Sequence, residues 1–234
     1  MGKVKIKKKN VFIDMTAMSD VTVLLLTFFM LTSTFLQKEP TTVITPSSVS
    51  EQKVPVTNLA TVLVSPKGQV FISILGDADS TFSSEKMRAD LLLNVAAEYN
   101  KTHKSNKVEF TRKQVETFSK INMFGYPLQK LGDFLDLPQV KQDEMIDPSK
   151  NPNAGIPIDD NTDLDHPNEF QLWMRGLYSL NNDNFESTIK DGSGIALKAD
   201  QATPYEIVSV VMDNLQTLKM NKFSFMTALK SEGE

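Results

Sequence analysis

From Met15 to Leu36 nearly every residue is apolar or carries only a hydroxyl. At about 1.5 Å per residue, some 20 helical residues cover the roughly 30 Å hydrocarbon core of a bilayer. This run therefore predicts one membrane-crossing helix, assigned to residues 11–36. Beyond it, Gln37 to about Val54 is rich in Thr, Ser, Pro and Val, which reads as an extended linker over residues 37–56. Two strand-like runs follow. Leu59–Val64 and Gln69–Leu75 flank the turn signal Ser65-Pro66-Lys67-Gly68 and predict a β-hairpin. After Ser84 the period becomes helical, with Met87, Leu91, Val95 and Tyr99 on one face.

The middle of the chain is less regular. Thr111-x-x-Gln114 has the form of a capping box and opens a short helix with Val115, Phe118 and Ile121 on one side. Apolar residues are scattered from Met123 to Met145, and Asp147–Asp165 reads as loop. Pro167 suits a first helical turn, followed by Phe170, Trp173, Met174, Leu177 and Leu180 at helical spacing. Trp173 on that face is expected in the core. The last fifty or so residues predict a strand at Gly194–Lys198 and a helix from Pro204 with Ile207, Val208, Val211, Met212, Leu215 and Leu218 on one face. A second strand is expected at Lys222–Ala228. The whole is a single N-terminal transmembrane helix plus a small α+β domain over residues 57–234, its sheet carrying helices on one face.

Charge gives this layout a direction. Lys3, Lys5, Lys7, Lys8 and Lys9 fall within the first ten residues, where there is no acid, although acids outnumber bases 29 to 25 in the whole chain. A lysine-rich tail beside an apolar span stays on the cytoplasmic side, so residues 1–10 are expected inside and the acidic body outside. Lys7, Lys8 and Lys9 would lie against anionic lipid headgroups. The acidic body argues against nucleic acid as a partner. The apolar run is longer than a signal-peptide core and no small-residue cleavage site follows Leu36, so it is expected to be retained. With no cysteine, there is no disulfide framework and no thiolate metal site.

Asp20 breaks the apolar run. A carboxylate at the centre of a membrane helix costs about 2.5–3.5 kcal/mol on insertion scales, and a simple anchor has no use for one. On a helix, Thr16, Asp20, Val23, Leu24, Thr27, Leu31 and Thr34 share one face, so hydroxyls at Thr16, Thr27 and Thr34 line up with the carboxylate. Apolar surroundings favour the neutral carboxyl and a hydrated pocket favours the charged one. A carboxyl that alternates between the two is a proton relay. A threonine-lined carboxylate also suits sodium. The alternative is that Asp20 snorkels to the cytoplasmic headgroups, as Asp14 is expected to do. The remaining signals are weaker. Asp159-x-Asn161-x-Asp163 has calcium-loop spacing, but Leu164 and Phe170 stand where the turn glycine and bidentate glutamate belong, so a solvated loop is expected. His103 and His166 have no ligand spacing and read as surface or capping residues. Asp200 and Asp213 are likewise read as capping or surface residues. No phosphate loop, nucleophile elbow or dinucleotide fingerprint occurs, and neither enzyme chemistry, metal nor cofactor is expected.

The stretch FIDMTAMSDVTVLLLTFFMLTSTF resembles the signature of the ExbD/TolR family, in which Asp14, Thr16, Asp20, Leu25, Leu26, Phe29 and Met30 match. ALKADQATPYEIVSVVMDNL is similar to the family's second signature through Asp200, Tyr205, Val208, Val211, Met212, Asp213 and Leu215. Ala17 stands where the family has proline, and about 101–167 reads as an insertion that the resemblance does not cover. The resemblance implies a subunit of a motor in the bacterial inner membrane, driven by the proton motive force, with Asp20 carrying the proton. It implies an ExbB- or TolQ-like multi-pass pentamer and a second copy of this chain as partners. It implies a TonB-like protein in the periplasm, moved to drive transport across the outer membrane. The alternatives are a TolR-like subunit for envelope maintenance in contact with peptidoglycan, and a passive single-pass anchor for a periplasmic interaction domain. The linker, over residues 41–60, is expected to be disordered by itself and to add as a strand to a sheet edge in one working state.

Overall fold

A computed structural model describes residues 15–32, 39–48, 55, 57–77, 83–104, 106–180 and 183–229. The chain forms two units, 1–37 and 38–234. In the first, helix α1 runs from Met15–Thr32, 18 residues, or about 27 Å at 1.5 Å per residue. It is long and apolar enough to cross a membrane.

The second unit is built on a five-stranded mixed sheet. Its strands are β2 (Leu59–Val64), β3 (Val70–Leu75), β4 (Met123–Phe124), β5 (Ile195–Ala199) and β6 (Ser224–Phe225). Their order is β4-β3-β2-β5-β6. The expected hairpin is β2–β3, antiparallel, with Leu63 opposite Phe71 and Val62 opposite Ile72. Its turn closes through the Gly68 amide donating to the Ser65 carbonyl at 2.9 Å, with Gly68 at φ +83°, a conformation that glycine adopts without cost. β5 joins β2 in parallel, placing Leu197 beside Val62 and Lys198 beside Leu63.

The two faces of this sheet differ. Val62, Val64, Ile72, Ile74, Ile195 and Leu197 project from one face and are fully buried. Helix α2 (Ser84–Thr102) buries Met87, Leu91, Val95 and Tyr99, the residues its spacing marked out. Helix α6 (Glu169–Tyr178) packs on α2 through Gly176. A Cβ there would meet Leu91 and Val95 side chains at 2.8 and 2.7 Å, so only glycine allows this close an approach. Trp173 on α6 is 1% exposed and lies among Phe118 and Phe124, with ring centroids at 5.8 and 4.7 Å. Helix α8 (Tyr205–Thr217) packs on α6. The opposite face carries Thr61, Leu63, Phe71, Ser73 and Lys198. Leu63 and Phe71 are nonetheless fully buried, so this face is covered as well.

The irregular middle folds into α3 (Arg112–Lys120), α4 (Leu128–Leu135) and α5 (Gln139–Ile146). The capping box on α3 forms as expected: Thr111 Oγ1 accepts from the Gln114 amide, and Gln114 Oε1 accepts from the Thr111 amide. Arg88 on α2, 3% exposed, donates from Nε to the Ser119 carbonyl at 2.7 Å, at the negative end of α3. Burial holds its guanidinium below the ordinary arginine range.

Three expectations are corrected. Pro167 lies outside α6, whose N-cap is Asn168: its Oδ1 accepts from the Gln171 amide, and Gln171 Oε1 accepts from its amide. Two reciprocal hydrogen bonds at the residue after the proline fix the start of the helix there, and Leu180 falls beyond its end. Helix α7 (Asp183–Asp191) was not expected, because its apolar signal is only Phe185 and Ile189 in a polar stretch; both are buried. The single strand expected at Lys222–Ala228 is divided. The chain leaves β5 only after Met226, whose amide donates to the Leu197 carbonyl at 2.8 Å, and β7 (Ala228–Leu229) pairs in parallel with β1 (Ser47–Ser48) from the linker.

Glu169, at the start of α6, accepts from the Leu128 amide at 2.8 Å, and burial pushes its carboxyl above the ordinary value of 4.5. Its raised value means that the folded state binds a proton more readily than the unfolded one, so stability from this group declines as pH rises through that value. Glu169→Gln is therefore expected to raise the melting temperature at pH 7, with the gap over wild type closing below about pH 4.5. Thermal unfolding of both proteins across pH 4–8 checks this; a constant gap would assign the effect to packing.

Candidate functional site

Asp20 is the one charged residue of α1. At 3.6 residues per turn, Thr16 and Thr27 lie within about 40° of it around the axis, one turn before and two turns after. The predicted stripe is thus helical over residues 16–31. Thr34, Asp14 and the lysines Lys7, Lys8 and Lys9 lie outside the described residues. The helix presents no buried side chain of its own, and Leu24, Leu25, Phe28 and Phe29 are exposed along it.

Four hydroxyls of α1 spend their hydrogens on its own backbone. Ser19 donates to the Met15 carbonyl at 2.8 Å, Thr22 to Met18 at 2.7 Å, Thr27 to Leu24 at 2.9 Å and Thr32 to Phe28 at 2.8 Å. This satisfies each donor without water, which an apolar medium demands. It also leaves hydroxyl oxygens as acceptors. On the Asp20 face, Thr27 therefore offers an acceptor about 10.5 Å along the axis from the carboxyl.

In the second unit the chemistry centres on the start of the described linker. Glu39 forms a bidentate ion pair with Lys198 of β5, at 2.6 and 2.7 Å. Asp200 Oδ2 accepts from the Ile44 amide at 2.8 Å, its Oδ1 accepts from the Ala202 amide at 2.8 Å, and the Gln201 amide donates to the Ile44 carbonyl at 2.8 Å. Both backbone groups of Ile44 are thereby held by the turn after β5. Of the linker residues 41–60, expected to order by strand addition in one working state, 41–48 lie against the domain here, and Ser47–Ser48 pair as a short strand with β7. Docking uses two charge-assisted contacts and the β1–β7 pair, none of which local sequence pattern reveals. The role of Asp200 is thus sharper than capping or surface placement: it pins the linker. Asp213 is exposed on α8, while Val208, Val211 and Leu215 beside it are core residues.

Asp200→Ala is expected to release residues 39–48. Hydrogen bonds to a charged group contribute about 1.5–3 kcal/mol, so amide exchange at Ile44 should quicken by about one to two orders of magnitude. Exchange in α2 should be unaffected, and unchanged protection at Ile44 would show that the β1–β7 pair alone holds the segment.

The acidic Asp159-x-Asn161-x-Asp163 run is a series of side-chain turns. The Asn161 amide donates to Asp159 Oδ1, the Asp163 amide to Asn161 Oδ1 and the Asp165 amide to Asp163 Oδ1, at 3.2, 2.8 and 2.9 Å. The i, i+2 spacing that imitates a calcium loop is what such turns require. Asn214, 1% exposed on α8, locks the loop to the core by donating to the Asp159 carbonyl at 2.7 Å and accepting from Asn168 Nδ2 at 2.9 Å. Sequence reasoning missed Asn214, as a buried asparagine within an apolar helix has no periodic signature. His166 pairs with Asp163 at 3.1 Å at the surface, and His103 caps α2 and stacks on Tyr99. Among the described residues no group of three or more His, Cys, Asp or Glu is placed to hold a metal.

A helix fit to cross a membrane, carrying one carboxylate, precedes a separate α+β domain: this defines a membrane-anchored protein with an ionisable group in its anchor. Residues 7–115 match the family model of the biopolymer transport protein ExbD/TolR. The match takes in α1, the linker, the hairpin and α2, and ends within α3. The second signature, around Asp200 and Asp213, lies outside it. No curated protein and no solved structure matches the chain. The match supports, in general terms, a subunit of a biopolymer-transport motor.

Proposed function

We propose that this protein is the proton-carrying subunit of a motor in the bacterial inner membrane. Its N-terminus is cytoplasmic and its α+β domain periplasmic. The reading rests on one observation: α1 carries a single charge, Asp20, on a face it shares with Thr16 and Thr27. The partners in this reading are an ExbB-like pentamer around α1, a second copy of this chain, and a TonB-like protein that the motor drives to open transport across the outer membrane. Lys7, Lys8 and Lys9 hold the cytoplasmic end to lipid. The protein itself is not an enzyme.

In the cycle Asp20 takes a proton from a hydrated path open to one side of the membrane. Neutral, it faces apolar surroundings at little cost. It then releases the proton to the other side. One elementary charge crossing 100 mV supplies about 2.3 kcal/mol. Two copies of Asp20 inside a five-fold ring are never in equivalent positions, so alternate protonation steps one assembly against the other. The test is growth on a nutrient that needs active outer-membrane uptake. A deletion strain carrying Asp20→Asn, at matched protein level, is expected not to grow.

A further inference from the structure

Residues 101–113 are basic within an acidic domain. They hold Lys101, Lys104, Lys107, Arg112 and Lys113 against a single acid, Glu109, in a chain where acids outnumber bases 29 to 25. Folding gathers these cations at one end of a helix pair. Arg88, in the second turn of α2, meets the carbonyl of Ser119 at the end of α3. The two helices therefore run antiparallel, and the start of α3 lies by the end of α2. Asn100 closes the loop between them: its Nδ2 donates to the Val108 carbonyl at 2.8 Å and its Oδ1 accepts from the Val108 amide at 2.7 Å. Val108 and Phe110 pack against the core, while all five cations are exposed.

Fold stability does not account for this patch. Lys101 pairs with Glu98 at 2.9 Å, and cations at the end of α2, Lys101 and Lys104, suit its negative pole. Arg112 and Lys113 do the opposite. They stand in the first turn of α3, the positive pole, where a helix favours acids and this one has none. Lys104, Lys107, Arg112 and Lys113 form no ion pair among the described residues. The acid one turn further along α3, Glu116, is held by Lys120 at 2.9 Å. Cations fixed at one end of an acidic domain are complementary to an extended anionic surface.

One such surface is tied to the domain by the chain itself. Residues 33–38 alone separate the end of α1 from Glu39, and they span at most about 25 Å when fully extended. Glu39 and Pro40 line a groove together with Lys113, Thr117 and Lys120, so the chain from the membrane anchor enters the domain alongside α3. We propose that the cationic end of the α2–α3 pair docks on anionic phospholipid headgroups of the bilayer that holds α1. The tether raises the effective concentration of those headgroups, and the acids elsewhere on the domain favour this end over the others. The contact needs α1 to span the bilayer but does not need Asp20 to carry a proton, so either reading can fail without the other.

The test uses the full chain in nanodiscs. The chain has no cysteine, so Asn106→Cys, exposed in the loop, carries a donor dye by itself, and a small fraction of zwitterionic headgroups carries an acceptor. Energy transfer is compared between pure phosphatidylcholine and a mixture with about one-third phosphatidylglycerol. It is expected to rise about twofold with the anionic lipid and to fall back as added salt shortens the screening length. Arg112→Glu with Lys113→Glu should abolish the rise. Acids suit the first turn of α3, so this variant should unfold at the wild-type temperature or above it. Lys104→Glu with Lys107→Glu should abolish the rise as well, and decides the matter if the first variant unfolds early. Lys7, Lys8 and Lys9 are present in every protein compared and cannot produce the difference. Equal transfer in the two lipids, or a rise that survives in a folded variant, would overturn the proposal. Retention of the wild type on isolated peptidoglycan through these cations, with no lipid-dependent rise, would overturn it too and assign the patch to the cell wall.

Discussion

Asp20→Asn is expected to abolish growth that depends on active outer-membrane uptake, while leaving the membrane complex assembled. Asparagine has the shape of aspartic acid and still hydrogen-bonds, but it cannot take up or release a proton. The change therefore removes titration and little else. An uncharged amide is also cheaper to place in a bilayer than a carboxylate, so insertion of α1 should be as good or better. Co-purification with the multi-pass partner separates the two ways to lose growth. Lost growth with an intact complex assigns coupling to Asp20. Wild-type growth would mean that the carboxyl is not titrated in the work cycle, and would return the protein to the anchor reading or to a system outside nutrient uptake. Thr27→Val supplies a graded companion, because it deletes the acceptor two turns away and keeps the helix. Its effect should be partial if protons pass along that face.

The second large effect belongs to the α+β domain. Trp173→Ala should destabilise it by about 3–5 kcal/mol, the cost of deleting a large aromatic from a close-packed core. Against a typical total of about 5–15 kcal/mol this is a substantial share. For a domain of this size the melting temperature should fall by roughly 6–20 °C. Three rings meet at Trp173, from α3, β4 and α6. The substitution therefore loosens the layer between the helices and the sheet edge at once. Trp173→Phe should cost less. It leaves a smaller void, and it removes an indole Nε1 that is buried without a hydrogen-bond partner among the described residues. Calorimetry of the three proteins tests the order wild type, Phe, Ala. Equal losses for Phe and Ala would mean that the indole nitrogen is bonded after all. Loss of growth in Trp173→Ala would come with loss of the folded domain, unlike the loss expected for Asp20→Asn.

Local pattern was enough where the signal lies within a dozen residues: two apolar runs around a turn for the β2–β3 hairpin, a repeating apolar face for α2, and the Thr111–Gln114 spacing for the capping box. The short helices α4, α5 and α7 were not resolved. Eight or nine residues hold too few apolar positions to show a period, and such helices persist only because tertiary packing holds them. Pro167 was misplaced by two residues, since a proline before a helix and one inside its first turn look alike until the Asn168–Gln171 hydrogen bonds are seen.

For the candidate site the division is different. The sequence alone determined that one long apolar helix carries one acid, and that Thr16 and Thr27 share its face, because helical phase depends only on spacing. It also carried the family signature. Tertiary structure alone decided everything that joins distant residues. Glu39 meets Lys198 across 159 positions and Ile44 meets Asp200 across 156, so which groups hold the linker is set by residues far from it in the chain. Asn214 reaches the Asp159 carbonyl across 55 positions and so ties the acidic loop to α8. Charge and hydroxyl groups declare their chemistry in the sequence, but which of them share a solvent-excluded space depends on how the chain closes on itself.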